Sequence, residues 1–183
     1  MIYFLRHGLD DESYIGGWSN VSLTKEGILE VRKVSERIKD YSIKKIISSD
    51  VVRAIETSEI VSSILDVPVT CTDKLRELNK GVLNGMPKEE AYSKYSDYID
   101  TSDITKRFPE GESLLDLYNR MKVYLDEILK EDDTLFITHR GVINMIYFIL
   151  NDIPLDYDKK RFGVTHASFH ELDKEKMKIK KLF

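Results

Sequence analysis

Short apolar runs rich in Ile, Val and Phe alternate along this chain with longer stretches whose apolar residues return at helical spacing. Ile2 to Leu5, Lys45 to Ser48, Val67 to Cys71 and Thr134 to Thr138 have the near-continuous apolar character of buried strands. Between them, Ile28, Val31, Val34 and Ile38 mark one helical face, and Leu114, Leu117, Met121, Leu125 and Ile128 mark another. Val51 to Leu65 and Gly141 to Leu150 read as helices with a less regular stripe. Strand and helix taking turns predicts βαβ units with right-handed crossovers. The expected fold is therefore α/β, three layers (α/β/α) with a mainly parallel central sheet and helices on both faces. Strand order cannot be read from this pattern. The tail breaks the rhythm: Ala167 to Leu172 and Met177 to Leu182 alternate polar and apolar residues around Asp173 and Lys174, as a hairpin does. The lysines there suit the protection of a sheet edge better than a phosphate backbone.

Composition narrows the function classes. At 183 residues, 42% of them apolar, the chain can build one core and has no Pro/Gly/Ser-rich linker or internal repeat. A single domain over residues 1–183 is expected. The one cysteine, Cys71, closes no internal disulfide, which fits a reducing compartment, so the cytoplasm is the expected location. The apolar start is shorter than the roughly 7 to 15 residues of a signal-peptide core, and no run approaches the roughly 18 of a membrane span. A net charge of −4 offers no global attraction to nucleic acid or anionic lipid, so neither is expected as a partner. An anionic ligand would have to be held by locally placed cations.

Parallel sheets bind ligands beyond the carboxyl ends of their strands, and the residues leaving these strands are unusual. The first strand ends in Arg6, His7 and Gly8. The second ends in Ser48, Ser49 and Asp50, with Arg53 one turn into the next helix, and a later one ends in Thr138, His139, Arg140 and Gly141. Three strand ends thus deliver two histidines and three arginines to one rim. Arg53 stands in a first helical turn, where the helix dipole disfavours a cation, and a bound anion would remove that conflict. Arg6 and His7 are strand neighbours and face opposite ways unless the strand ends and turns at Gly8. Adjacent arginines oppose a divalent metal at either histidine, and no metal-binding motif of His or Cys pairs is present. Phosphate fits the guanidinium fork. Hydrolysis of its esters would further need a nucleophile and a proton donor.

The motifs resemble those of the histidine phosphatase superfamily, which includes acid-type phosphatases and the phosphoglycerate mutases that need no metal. Leu5-Arg6-His7-Gly8 is similar to its signature, Ser22-Leu23-Thr24 with Gly27 to P-L-T-x-x-G, and Ser48-Ser49-Asp50 with Arg53-Ala54 and Thr57 to S-S-D-x-x-R-A-x-x-T. Leu75-Arg76-Glu77 with Gly81 and Gly85, Gly111-Glu112-Ser113, and Thr138-His139 with Gly141-Val142 follow in family order. The resemblance implies a phosphomonoester hydrolase acting on a small phosphorylated metabolite. It implies His7 as a nucleophile that becomes phosphohistidine, Arg6, Arg53 and His139 as the cradle of the phosphoryl oxygens, and Glu77 as acid and then base, with no metal or organic cofactor. Glu77 would then need a raised pKa, from burial or from the phosphate's charge, and His7 a tautomer fixed by a carbonyl near Gly8. Read without the family, Glu77 could equally pair with Arg76.

The chain departs from the family where Leu9, Asp10 and Ser13 replace Glu, Thr and a phosphate-contacting Asn; Ser13 or Asn20 are the candidate replacements in substrate binding, or else polar loop residues. Arg140 stands where Gly is common, as an added substrate contact or a surface charge. Asn144 stands where Arg is frequent, and Asn84 replaces a frequent Glu. Residues 86–109 occupy the place of the family's cap insertion and are short, which favours hydrolysis over mutase transfer. Tyr92, Tyr95 and Tyr98 suit helix packing better than stacking on a substrate, and Trp18 either lines the pocket or fastens its loop. Two other functions follow from the same residues: a phosphoglycerate mutase, or a phospholigand-binding module without turnover. Oligomeric state is not legible.

Overall fold

A computed structural model describes residues 1–158 and 160–183. The first strand, β1, runs Ile2–Arg6, and helix α1, Lys25–Arg37, leads to β2, Lys45–Ser49. Helix α2, Val52–Leu65, leads to β3, Val69–Thr72. After single 3-10 turns at Asp73–Leu75 and Gly81–Leu83 come α3, Lys88–Ile99, and α4, Leu114–Ile128. Strand β4, Thr134–Thr138, helix α5, Arg140–Leu150, and the hairpin strands β5, Phe169–Asp173, and β6, Lys178–Lys181, complete the chain. The predicted hairpin is present, and its β6 forms the sheet edge with Lys178, Lys180 and Lys181.

The six strands form one sheet in the order β3-β2-β4-β1-β5-β6, in which β1 to β4 are mutually parallel and the hairpin is antiparallel. Alternation along each strand divides the core. Ile2, Phe4 and Phe136 face one layer with Leu117, Met121, Val142 and Ile146 of α4 and α5. Tyr3, Leu5, Leu135 and Ile137 face the other, with Val31 of α1 and Ala54 and Val61 of α2. Burial on both faces explains why these strands read as continuous apolar runs. This is the expected three-layer arrangement with a mainly parallel sheet. Among the described residues, no helix is long and apolar enough to cross a membrane.

The register positions the rim. Strands β1 and β4 pair so that Arg6 lies opposite Thr138, and the next residues, His7 and His139, leave neighbouring strands side by side. The amide of His7 still donates to Thr138 O, 2.9 Å away, so the turn begins only after the ladder is complete. Gly8 makes the turn against α1. A Cβ on Gly8 would lie 2.6 Å from Val31 Cγ2, and one on Gly27 would lie 2.1 Å from Leu9 O, so the loop and the helix meet only as glycine against glycine. Thr24 then caps α1 by accepting from Gly27 N–H at 3.0 Å.

Candidate active site

Arg53 is 2% exposed, although it enters from the first turn of α2, and its guanidinium spans the two imidazoles. Its Nε donates to His7 Nε2 at 3.1 Å and its Nη2 to His139 Nδ1 at 3.1 Å. Further bonds run to Gly17 O at 2.8 Å and Ser19 Oγ at 3.3 Å. The two imidazole rings have centroids 5.1 Å apart, the spacing expected of side chains on adjacent strands. Arg53 therefore does not point into water, and the opposing helix dipole is offset by imidazole, carbonyl and carboxylate partners.

The partners fix the tautomers. His7 Nδ1 faces Gly8 O at 2.8 Å and so carries the proton, which leaves the Nε2 lone pair toward Arg53. His139 accepts from Arg53 at Nδ1 and donates from Nε2 to Ser49 Oγ, 2.9 Å away. Burial, helped by the charge of Arg53, holds both imidazoles well below their ordinary pKa, so both are neutral near pH 7.

Arg6 approaches from the other side. Its Nη1 donates to Val164 O at 3.0 Å and its Nη2 to His166 Nε2 at 2.6 Å, while its buried Nε–H has no partner. Burial and neighbouring Arg140 lower its pKa to about 10, which leaves it charged at neutral pH. An unpartnered guanidinium N–H beside a second guanidinium is an incomplete anion site.

Glu77 closes the site from above. Its Oε2 accepts from Gly141 N–H at 3.0 Å and its Oε1 from Leu78 N–H at 2.9 Å, so the carboxylate sits at the amino end of α5. A Cβ on Gly141 would come within 2.1 Å of Glu77 Oε1, which explains a glycine two residues after His139. Burial alone would raise the Glu77 pKa, but the two N–H donors and the charges of Arg140 and Arg53 hold it below the ordinary value. Burial therefore does not supply the raised pKa expected from sequence. Glu77 does not pair with Arg76, whose guanidinium instead grips Asp50 at 2.6 and 2.5 Å.

The outer motif residues hold this arrangement in place. Thr57 Oγ1 accepts from Gly8 N–H at 3.2 Å and donates to Arg53 O at 2.7 Å, tying the turn after His7 to α2. Ser113 caps α4 in a reciprocal box with Asp116, and Glu112 holds Arg120, whose Nη2 donates to Arg76 O at 2.6 Å and Glu77 O at 2.9 Å. Trp18 fastens its loop, with Nε1 donating to Glu77 O at 2.7 Å, and Asn84 accepts from Trp18 N–H at 3.0 Å. Ser13 and Asn20 are exposed and do not line the cavity. Ser13 bonds to Asp11 within its own turn, so the loop delivers Ser19 and Gly17 O to Arg53 instead. Tyr95 and Tyr98 pack on the core, whereas Tyr92 lines the cavity.

Two site residues were not legible in advance. Asp10 Oδ2 lies 3.5 Å from Arg53 Nε, and His166 Nε2 lies 3.6 Å from Asp10 Oδ1, with the ring 5.6 Å from that of His7. The ligand atoms of His7, Asp10 and His166 all lie within 4.8 Å of one another, but Arg53 and Arg6 already donate to the two histidine nitrogens. That electrostatic setting favours an anion over a cation.

Residues 2–182 match the histidine phosphatase superfamily (branch 1). The chain belongs to that superfamily. A probable phosphoglycerate mutase GpmB of Proteus mirabilis is 31% identical over 94% of this chain and 84% of its own length. The corresponding Yersinia pestis protein is 29% identical over the same shares. Among solved structures, mycobacterial glucosyl-3-phosphoglycerate phosphatase in complex with VO3 superposes with a TM-score of 0.81 at 21% identity, covering 100% of this chain and 97% of that one. A putative alpha-ribazole-5'-P phosphatase from Escherichia coli gives 0.83 at 18% identity, covering 98% and 93%. These likenesses confirm the fold.

Proposed function

We propose that the protein is a phosphomonoester hydrolase acting on a small phosphorylated metabolite through phosphohistidine at His7. The observation that carries this reading is the neutral His7, its Nδ1–H held by Gly8 O and its Nε2 aimed at Arg53 beside the orphaned Arg6 N–H. His7 Nε2 forms the N–P bond as the ester P–O bond breaks, with Arg6 and Arg53 around the phosphoryl oxygens and His139 joining them once its proton shifts from Nε2 to Nδ1, Ser49 Oγ–H then donating to Nε2. Glu77 gives its proton to the leaving oxygen. Water then attacks phosphorus, its proton passes to Glu77, and the P–N bond breaks to release phosphate. Glu77 is ionised in the resting site, so its proton must arrive with the substrate, whose negative charge offsets the pull of Arg53 and Arg140. Ser13 and Asn20 have no part in this scheme.

The reading treats residues 1–183 as one domain with 86–109 as a short cap. Its helix α3 brings Lys88, Tyr92 and Ile99 to a cavity of about 280 Å³, near the lower end of small-molecule sites. The free, exposed Cys71 supports a cytoplasmic place, since no disulfide is required of it. The sequence relatives favour a second reading, phosphoglycerate mutase activity. The deciding assay supplies 3-phosphoglycerate or p-nitrophenyl phosphate in EDTA. Phosphate release that outpaces isomer formation, undiminished by the chelator, is the expected result; faster interconversion makes the enzyme a mutase, and loss of activity in EDTA removes the metal-free scheme.

A further inference from the structure

Beyond the phosphoryl cradle, the cavity is walled by α4 and α5, where Leu114, Leu117, Met145 and Phe148 present apolar surface. Beyond Arg140 at the start of α5, one polar side chain of these two helices interrupts that wall. Asn144 is 5% exposed, lines the cavity, and has a buried Oδ1 with no hydrogen-bond partner. Leaving an amide oxygen buried and unpaired costs about 1–3 kcal/mol, so the position calls for a ligand atom. Its place indicates which part of the ligand. Asn144 lies one helical turn beyond Gly141, whose N–H holds Glu77 Oε2, and residues three apart share a helix face. Asn144 is thus on the helix face that holds Glu77, the group assigned to the leaving oxygen.

The chemistry of an amide selects the partner. A second phosphate or a carboxylate could accept from the NH2 but would leave the oxygen unsatisfied. A hydroxyl satisfies either atom, since it donates to the oxygen or accepts from the NH2. We propose that Asn144 is a specificity-determining residue that takes a hydroxyl on the leaving group, so that phosphomonoesters of alcohols carrying a further hydroxyl are preferred over plain alkyl esters. This inference rests on the phosphatase reading above and concerns the leaving group alone.

The test compares glycerol 1-phosphate with propyl phosphate, alongside p-nitrophenyl phosphate, in the wild type, Asn144→Leu and Asn144→Ala. The wild-type kcat/KM ratio of the hydroxylated to the plain ester is expected near tenfold, and to fall within about twofold in both variants, a loss of about 1.4 kcal/mol of discrimination. Each ratio is internal to one enzyme, so incomplete folding of a variant cancels. A wild-type ratio near one, as when an ordered water satisfies the amide, overturns the inference, and so does a ratio retained in both variants. Turnover of the aryl ester with neither alkyl ester accepted also overturns it while sparing the phosphatase reading. No turnover of any ester counts against that reading itself.

Discussion

Replacing Gly141 by alanine tests how Glu77 is held. In the native site Gly141 N–H and Leu78 N–H grip the two carboxylate oxygens at 3.0 and 2.9 Å. The added methyl group would stand 2.1 Å from Oε1, 3.0 Å from Cδ and 3.1 Å from Leu117 Cδ2, so the carboxylate has to move by about 1 Å or more to reach ordinary contact. That movement breaks a charged hydrogen bond of about 1.5–3 kcal/mol and misplaces the proposed proton donor, an error of a size that costs about 10²-fold. Alanine in a helix is otherwise up to about 1 kcal/mol better than glycine, which offsets only part of that loss, so a net loss of stability of about 0.5–2 kcal/mol should accompany the effect. Steady-state kinetics on two esters provide the assay. kcat for an alkyl phosphate, whose alkoxide must be protonated as it leaves, should fall about 100-fold. With p-nitrophenyl phosphate, whose leaving group is stable as an anion, the loss should stay below about tenfold. Equal losses on both esters, or none on either, would refute the assignment of Glu77 as the acid.

Acid should destabilise the fold earlier than its carboxylates alone require. Burial keeps His7, His139 and His170 neutral, the last with a pKa lowered to about 4, so the unfolded chain binds protons that the native one refuses. Stability is therefore complete above pH 6.5 and lost below it, with His170 alone costing about 2 kcal/mol by pH 5; a urea midpoint unchanged between pH 7 and 5 contradicts this. Asp10 places a carboxylate 3.5 Å from Arg53 Nε, where it competes with a bound anion. Asp10→Asn should tighten inhibition by inorganic phosphate about tenfold, or about 1.4 kcal/mol, and weaker or unchanged inhibition would show that the carboxylate does not oppose the ligand. Arg120 supports the backbone of Glu77 through two carbonyls, so Arg120→Met should lower unfolding stability by about 2 kcal/mol in urea titrations and reduce turnover of alkyl esters more than of aryl ones.

The central strands β1, β2 and β4 were legible because they are largely buried on both faces, and the ends of all six strands differ from expectation by only a residue or two. The largest difference is at β3, which starts at Val69 because Pro68 has no N–H to donate to the ladder. His7, Arg53 and His139 were legible because each sits at a strand end or in the first turn that follows one. The order of the strands was not, because pairing joins residues far apart in the chain. That hid His166, which reaches the site only because β5 lies antiparallel to β1 and carries the preceding turn back past Arg6. The same limit hid why burial does not raise the Glu77 pKa in the free site, since one of its two N–H donors, Gly141, is set by where α5 begins. Ser13 looked like a phosphate contact by position alone, but Asp11, two residues away, satisfies both its amide and its hydroxyl at 2.9 and 2.7 Å. Asn84, in place of a frequent Glu, accepts from Lys80 N–H at 3.1 Å and donates to Asn79 Oδ1 at 2.8 Å, keeping a structural part in the loop.

The most direct measurement is mass spectrometry of the enzyme quenched in alkali during turnover of a phosphoester, with wild type and His7→Ala run in parallel. An acid-labile, alkali-stable phosphoryl group on His7, absent from the variant, is the predicted result. A phosphoryl group carried by His139 or His166 in the wild type, or labelling at full level in His7→Ala, would contradict it.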